Sequence, residues 1–265
     1  MKIIYILFII PLFCISQTLE IGFVEYNYKI PREKPLYKNA VLYFNNTKSV
    51  FIYDKIGQNS NNNSGVKMND EGLSVSFKSE DEEGYQFYRN HQEKTLIFRS
   101  AKGLFNSYLV NDTWIAINWK IKNKFKKIGK YKCQKAVGEF RGRTYIAWFT
   151  EEIPLSYGPW KLFGLPGLIL EAEDTEKMFK AEFKSIKYPC ECHFEFKKPA
   201  ATEVKTLQEY VEFRDNFNDY VFRKMKARMP RKVANRMRKM PKKDNGRKYR
   251  DEKIFEWETE EKKDK

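Results

Sequence analysis

The 265-residue chain has only two histidines and four cysteines, so the side chains that most often carry acid/base, metal and thiol chemistry are scarce. It has no Gly-x-Ser-x-Gly, no His-Glu-x-x-His and no phosphate-cradling glycine loop, which removes the usual signatures of α/β-hydrolases, zinc peptidases and nucleotide binders. No apolar run reaches the roughly 20 residues that span a bilayer as a helix. What is abundant is aromatic and basic: 42% of the residues are hydrophobic, 16% aromatic, and 50 Lys and Arg against 35 Asp and Glu give a net charge of +15. That composition excludes wholesale disorder and collagen-like repeats, and suits one large domain or a domain with a tail.

The first sixteen residues read as an export signal. Lys2 is followed by an apolar run from Ile3 to Phe13, and small residues Cys14 and Ser16 are spaced for cleavage before Gln17. Bulky Phe13 before Cys14 argues against a lipid anchor. Losing residues 1–16 removes one lysine and one cysteine, leaving Cys133, Cys190 and Cys192 in the mature chain. In an oxidising compartment, a long-range disulfide from Cys133 to Cys190 or Cys192 is preferred, because a Cys190 to Cys192 bridge spans only one residue. The run Cys190-Glu191-Cys192-His193 has metal-like spacing, but a fourth ligand would have to come from Cys133 or distant His91. No metal or cofactor is therefore expected.

Residues 17–200 read as an antiparallel β domain. Short segments rich in Tyr, Phe, Val and Ile alternate with polar turns, as in Gly22 to Tyr28, Leu73 to Phe77 and Met178 to Phe183. Further strands are expected at 40–45, 50–54, 85–89, 95–100, 105–110, 131–140 and 144–150. The insert at 59–65, Asn-Ser-Asn-Asn-Asn-Ser-Gly, is too polar to bury. Residues 201–229 read as an amphipathic helix opened by a Thr206/Glu209 capping box, with Leu207, Tyr210, Val211, Phe217, Val221 and Met225 within roughly 120° of one face. Pro230 should stop it. The expected class is thus mainly β with a C-terminal helix (α+β): a curved antiparallel sheet or half-barrel meander.

Charge is concentrated behind that helix. Residues 223–250 hold fourteen Lys and Arg, among them Arg231, Lys232, Arg236, Arg238, Lys239, Lys242 and Lys243, against Asp244 alone. Residues 230–265 read as a basic, partly disordered tail suited to an anionic membrane or lipopolysaccharide surface; export argues against nucleic acid.

The most specific signal is an ordered series: Tyr131-Lys132-Cys133-Gln134-Lys135-Ala136, then Trp148 to Pro154, then Gly158-Pro159-Trp160-Lys161-Leu162-Phe163-Gly164-Leu165-Pro166-Gly167-Leu168-Ile169-Leu170. It resembles the GLPGLI family of exported bacterial proteins, known mostly from Bacteroidota, whose namesake hexapeptide stands intact at Gly164 to Ile169. The resemblance covers mainly 131–174 and implies an envelope location and an uncharacterised function; it transfers no catalytic residue. On physical grounds Leu165-Pro166-Gly167-Leu168 fits a type II turn, with positive φ at Gly167. Trp160, Phe163, Leu165 and Leu168 are the candidate rim of an apolar cleft. With a curved sheet and a closing helix, this would look like the half-barrel lipoprotein carriers of the envelope, an analogy of architecture.

The function expected is non-catalytic binding or carriage of an apolar ligand or a protein partner. The alternative is a hydrolase for envelope glycans or peptides using Glu151, Glu152, Glu171, Glu173 and Asp174, although their spacing fixes neither a separation nor a raised pKa.

Overall fold

The computed structural model describes residues 20–31, 35–55, 65–69, 72–76, 81–102, 106–236 and 247–260. The export signal at 1–16, most of the polar insert, and Arg238, Lys239, Lys242 and Lys243 lie outside the described residues. The aromatic, alternating segments form strands β1 (Ile21–Ile30), β2 (Leu36–Phe44), β3 (Lys48–Tyr53), β4 (Gly65–Asn69), β5 (Gly72–Ser76), β6 (Tyr85–Asn90), β7 (Thr95–Arg99), β8 (Tyr108–Asp112), β9 (Asn118–Ile128), β10 (Tyr131–Phe140), β11 (Arg143–Thr150), β12 (Leu168–Asp174), β13 (Lys180–Cys190) and β14 (Glu203–Thr206). Alternation sets the faces: in β1 Val24, Tyr26 and Tyr28 point inward while Phe23, Glu25 and Asn27 point out. The fold is mainly β, as the patterning indicates.

Twelve strands make one open sheet in the order β14-β8-β7-β6-β3-β2-β1-β13-β12-β11-β10-β9, antiparallel throughout except for β14 against β8. Two meanders, β1-β2-β3-β6-β7-β8 and β9 to β13, are joined where β1 pairs β13 from Ile21↔Cys190 to Lys29↔Lys180. A flat sheet would hold β8 and β10 about 40 Å apart at ~4.8 Å per strand. Yet Asp112, at the end of β8, pairs with Arg141, in the turn after β10, at 2.7 Å. The sheet is therefore strongly curled without closing, and its concave side is filled by the connection between β11 and β12. Strand β9 escapes sequence patterning because lysines at 120, 122, 124, 126 and 127 mask its apolar alternation.

The C-terminal helices are α1 (Leu207–Asp215), α2 (Phe217–Arg228), α3 (Arg231–Ala234) and α4 (Glu256–Glu260). The capping box forms: the Glu209 amide donates to Thr206 Oγ1, and the Glu209 side chain accepts from the Thr206 amide. The single helix expected to 229 is divided at Asn216, so its apolar face is divided as well. Leu207, Tyr210 and Val211 are buried, with Tyr210 against Phe98 and Tyr108, whereas α2 buries no residue. No helix among the described residues is long and apolar enough to cross a membrane.

The tail is a second departure. Residues 247–260 return to the body and lie along it: the Lys253 amide donates to the Arg141 carbonyl at 2.9 Å, Tyr145 Oη donates to the Asp251 carbonyl at 2.7 Å, and Phe255 is buried. Arg247 and Arg250, counted by the sequence among the free tail charges, both pair with Asp215 of α1.

Candidate functional site: the motif loop and two polar clusters

The connection from Glu151 to Gly167 carries the motif through the interior. Trp160, with φ +55°, sits among Phe140, Tyr145 and Phe179 at centroid distances of 5.8, 5.9 and 5.6 Å. The loop is tied on both sides: Tyr26 Oη donates to the Ile169 carbonyl at 2.7 Å and Trp119 Nε1 to the Phe163 carbonyl at 2.7 Å. Trp160, Phe163, Leu165 and Leu168, expected at the rim of a cleft, are none more than 4% exposed and pack the interior.

The expected type II turn does not form. Positive φ falls on Gly164, at +97°, and not on Gly167. What Gly167 supplies is close approach: a Cβ there would stand 2.1 Å from the Thr150 carbonyl oxygen at the end of β11. Gly158 serves the same need, since its Cβ would meet Ile169 Cδ1 at 2.7 Å.

On one side of Trp160 the loop meets a compensated ionic cluster. Lys161 Nζ lies 2.5 Å from Asp112 Oδ2 and 2.7 Å from Glu252 Oε1. Arg141 Nη2 lies 2.7 Å from Asp112 Oδ1, and Arg141 also pairs with Glu252 and Glu256. Burial pushes the Asp112 carboxyl up, but Lys161 and Arg141 outweigh it and hold the group below the usual carboxylate range. Glu252 and Glu256 belong to the returning C-terminal segment, so the cluster also latches that segment. Beside it Arg143 pairs with Asp174 at 2.5 Å and donates to the Arg250 and Lys248 carbonyls. Asp251, on the same segment, has no side-chain partner for Oδ1, and burial with nearby Glu252 raises its carboxyl to about 7. A shallow groove of about 510 Å³ runs between the segment and the β10–β11 turn, lined by Arg141, Phe255 and Glu256 among others.

On the other side the loop meets a cluster in which, among the described residues, no acid takes part. Arg89 of β6 is buried; its Nη2 donates to the Trp160 carbonyl at 3.2 Å and its Nη1 to Ser49 Oγ at 3.4 Å. Its Cζ stands 4.7 Å from the Phe163 ring centroid. His91, two residues on and so on the same face, packs edge-on against Tyr157 at 4.6 Å and Trp114 at 5.0 Å. Burial lowers Arg89 to about 10; burial and the Arg89 charge lower His91 to about 4. The sequence offers no signal for this cluster beyond the spacing of Arg89 and His91.

The remaining sequence candidates are dispersed. Glu171 pairs with Lys126, Glu173 with Lys177 and Asp174 with Arg143, while Glu151 and Glu152 are exposed; the structure does not bring them together. The preferred long-range disulfide is not formed. Cys190 pairs with Cys192, and Cys133 is a free thiol inside β10, pushed up to about 12 by burial. The reason is lateral distance: β10 is three strands from β13, about 14 Å, whereas bridged Cα atoms lie within about 7 Å. Among the described residues no group of three or more His, Cys, Asp and Glu is placed to hold a metal ion. Arg231, Lys232 and Arg236 are exposed. A second basic surface, which the tail had obscured, is the β9–β10 hairpin, where residues 118–135 hold eight lysines and no acid.

A family model described as "Protein of unknown function (Porph_ging)" matches residues 139–171. That stretch runs from the end of β10 into β12 and contains the whole Gly164 to Ile169 hexapeptide. No curated protein matches the chain. Among solved structures, PNGF-II in its C2 crystal form is similar with a TM-score of 0.50 and 16% identity over 72% of this chain and 32% of that one. Its P21 form gives 0.49 and 15% over 73% and 32%; a DUF1329 family protein from Desulfovibrio piger gives 0.24 and 10% over 67% and 89%. The likeness to PNGF-II is one of fold, and this chain spans about a third of that protein's length.

Proposed function

We propose that the protein is an exported, non-catalytic binding or carrier protein of the cell envelope, and that a ligand with an apolar body and hydrogen-bonding groups seats beside the motif loop, at the end of the sheet where His91 and Trp114 are half-buried. One observation carries this reading. Among the described residues, the buried side-chain atoms without a hydrogen-bond partner are Tyr28 Oη, Arg89 Nε, His91 Nε2, Tyr157 Oη and Asp251 Oδ1. Folded proteins pair nearly all such atoms. Here the five belong to inward-facing residues, to the motif loop or to the segment lying across it, amid Tyr53, Phe179, Phe163 and Trp114. The scattered carboxylates, of which Glu171, Glu173 and Asp174 each pair with a cation and Glu151 and Glu152 are exposed, give the hydrolase alternative no corresponding support. Docking on an anionic membrane or lipopolysaccharide surface is supported by exposed Arg231, Lys232 and Arg236 and by the lysines of the β9–β10 hairpin.

The test is native mass spectrometry of the mature protein purified gently from its own periplasm. The expected result is a small-molecule adduct that denaturation removes, with Cys133 alkylated only after unfolding. A bare native mass that no amphipathic additive shifts overturns the reading.

A further inference from the structure

Six Lys and Arg residues are buried among the described residues: Lys38, Arg89, Arg99, Arg141, Arg143 and Lys161. Five have a carboxylate in contact: Lys38 with Asp54, Arg99 with Asp81, Arg141 with Asp112, Arg143 with Asp174, and Lys161 with Asp112 and Glu252. Arg89 has none. Asp112 acts on it through space, but both Asp112 oxygens are engaged by Arg141 and Lys161.

A buried, uncompensated guanidinium is costly, and a purely structural task does not require it. The Trp160 carbonyl needs one donor and Ser49 Oγ tolerates any, and the face of Phe163 attracts the guanidinium without neutralising its charge. What the packing leaves unexplained is the charge. Around that charge stand three polar atoms without partners: Arg89 Nε, His91 Nε2 and Tyr157 Oη. Tyr157 and Arg89 each act electrostatically on the other, and His91 feels Arg89, so the three belong to one neighbourhood. Two aromatic rings flank it, Phe163 at 4.7 Å from the guanidinium and Trp114 at 4.6 Å from Phe163. His91 and Trp114 are only half-buried, so the site is reached from the end of the sheet where the β6–β7 turn meets the segment after β8.

We propose that Arg89, His91 and Tyr157 form the receptor for a carboxylate at one end of the ligand, whose apolar body lies against Trp114 and Phe163. This inference rests on the binding reading above and names the chemistry of its polar end. A carboxylate has two oxygens for three donors and one charge for one guanidinium, with the charge-assisted bond to Arg89 the strongest contact. A phosphate dianion would leave a second charge among aromatic rings, where burial is unfavourable.

The experiment compares decanoate with the uncharged decanol as probes of the mature, full-length protein, read by titration calorimetry and by tryptophan fluorescence. The wild-type protein is expected to prefer decanoate by about tenfold or more. Arg89→Met is expected to abolish that preference while retaining weak, equal binding of both probes, and to melt no lower than wild type. Tyr157→Phe keeps the charge and is expected to lower decanoate affinity severalfold and by more than it lowers decanol affinity, which decides the matter if Arg89→Met does not fold. By NMR, decanoate should raise the His91 pKa. Equal binding of the two probes by wild type, or a preference that survives Arg89→Met, overturns the carboxylate receptor and leaves the binding reading intact. If neither probe binds, the receptor is overturned, and the binding reading is judged separately by the native mass.

Discussion

The two polar clusters on either side of Trp160 each centre on a buried arginine and have opposite character. In one, Asp112, Arg141, Lys161 and Glu252 satisfy one another, and both oxygens of Asp112 are engaged. In the other, Arg89 has hydrogen bonds to Trp160 and Ser49 but no counter-charge among the described residues. The first connects β8, the β10–β11 turn, the motif loop and the C-terminal segment, so it fastens a curled sheet that hydrogen-bonded edges do not close. The second fastens little that a neutral side chain could not. A buried charge that is matched holds the fold, and one that is unmatched is available to a ligand.

The largest effect should come from breaking the matched cluster. Asp112→Ala leaves Arg141 and Lys161 buried with Glu252 as their chief acid and is expected to cost about 3–5 kcal/mol, measured as a lowered denaturant midpoint at unchanged slope. A loss under about 1 kcal/mol would show that the cluster does not fasten the sheet.

A smaller, pH-dependent effect belongs to Asp251, the acidic counterpart of Arg89, which has no ion-pair partner of its own among the described residues. Its carboxyl is raised from 3.8 to about 7 by burial and by Glu252, with Arg214, Lys161 and Arg143 opposing. The folded state therefore binds this proton more tightly than the unfolded chain does. Its contribution is fully favourable below about pH 4 and is lost as pH rises through 7. Relative to wild type, Asp251→Asn should be neutral at pH 4 and more stable by on the order of 2 kcal/mol at pH 8. Parallel stability curves for the two proteins across pH 4–8 would show that Asp251 is solvated.

The smallest effect is expected outside both clusters. Lys126 and Glu171 pair on the half-exposed surface, where solvent screens them. Glu171→Gln should change stability by less than about 1 kcal/mol. A larger loss would mean that burial does not separate strong from weak ion pairs in this protein.

Much of the body was legible in the residues. Alternation of Val24, Tyr26 and Tyr28 marked β1, and similar patterns marked β2, β3, β6, β7, β10 and β11, because strand faces follow from period two along the chain itself. The Thr206/Glu209 capping box was legible for the same reason: its partners are three residues apart. The motif marked a place where the backbone is constrained, but its turn type was misassigned. Whether glycine is needed for φ or for space depends on what lies opposite, and Thr150 is seventeen residues away from Gly167 in sequence.

The site was not legible, and the reason is sequence separation. Arg89 and Trp160 stand 71 residues apart, Lys161 and Glu252 91, Arg141 and Glu256 115. The basic tail looked uniform because composition counts charges without their partners. In the fold Arg247 and Arg250 are paired through Asp215, whereas Arg231, Lys232 and Arg236 stay exposed. Local periodicity and capping, which act over a few residues, were thus determined by the sequence alone. Which buried charges are matched was decided only by the tertiary structure, because the curl of the sheet alone brings its distant strands within bonding distance; the strand order likewise keeps Cys133, three strands from β13, out of the local Cys190–Cys192 pair.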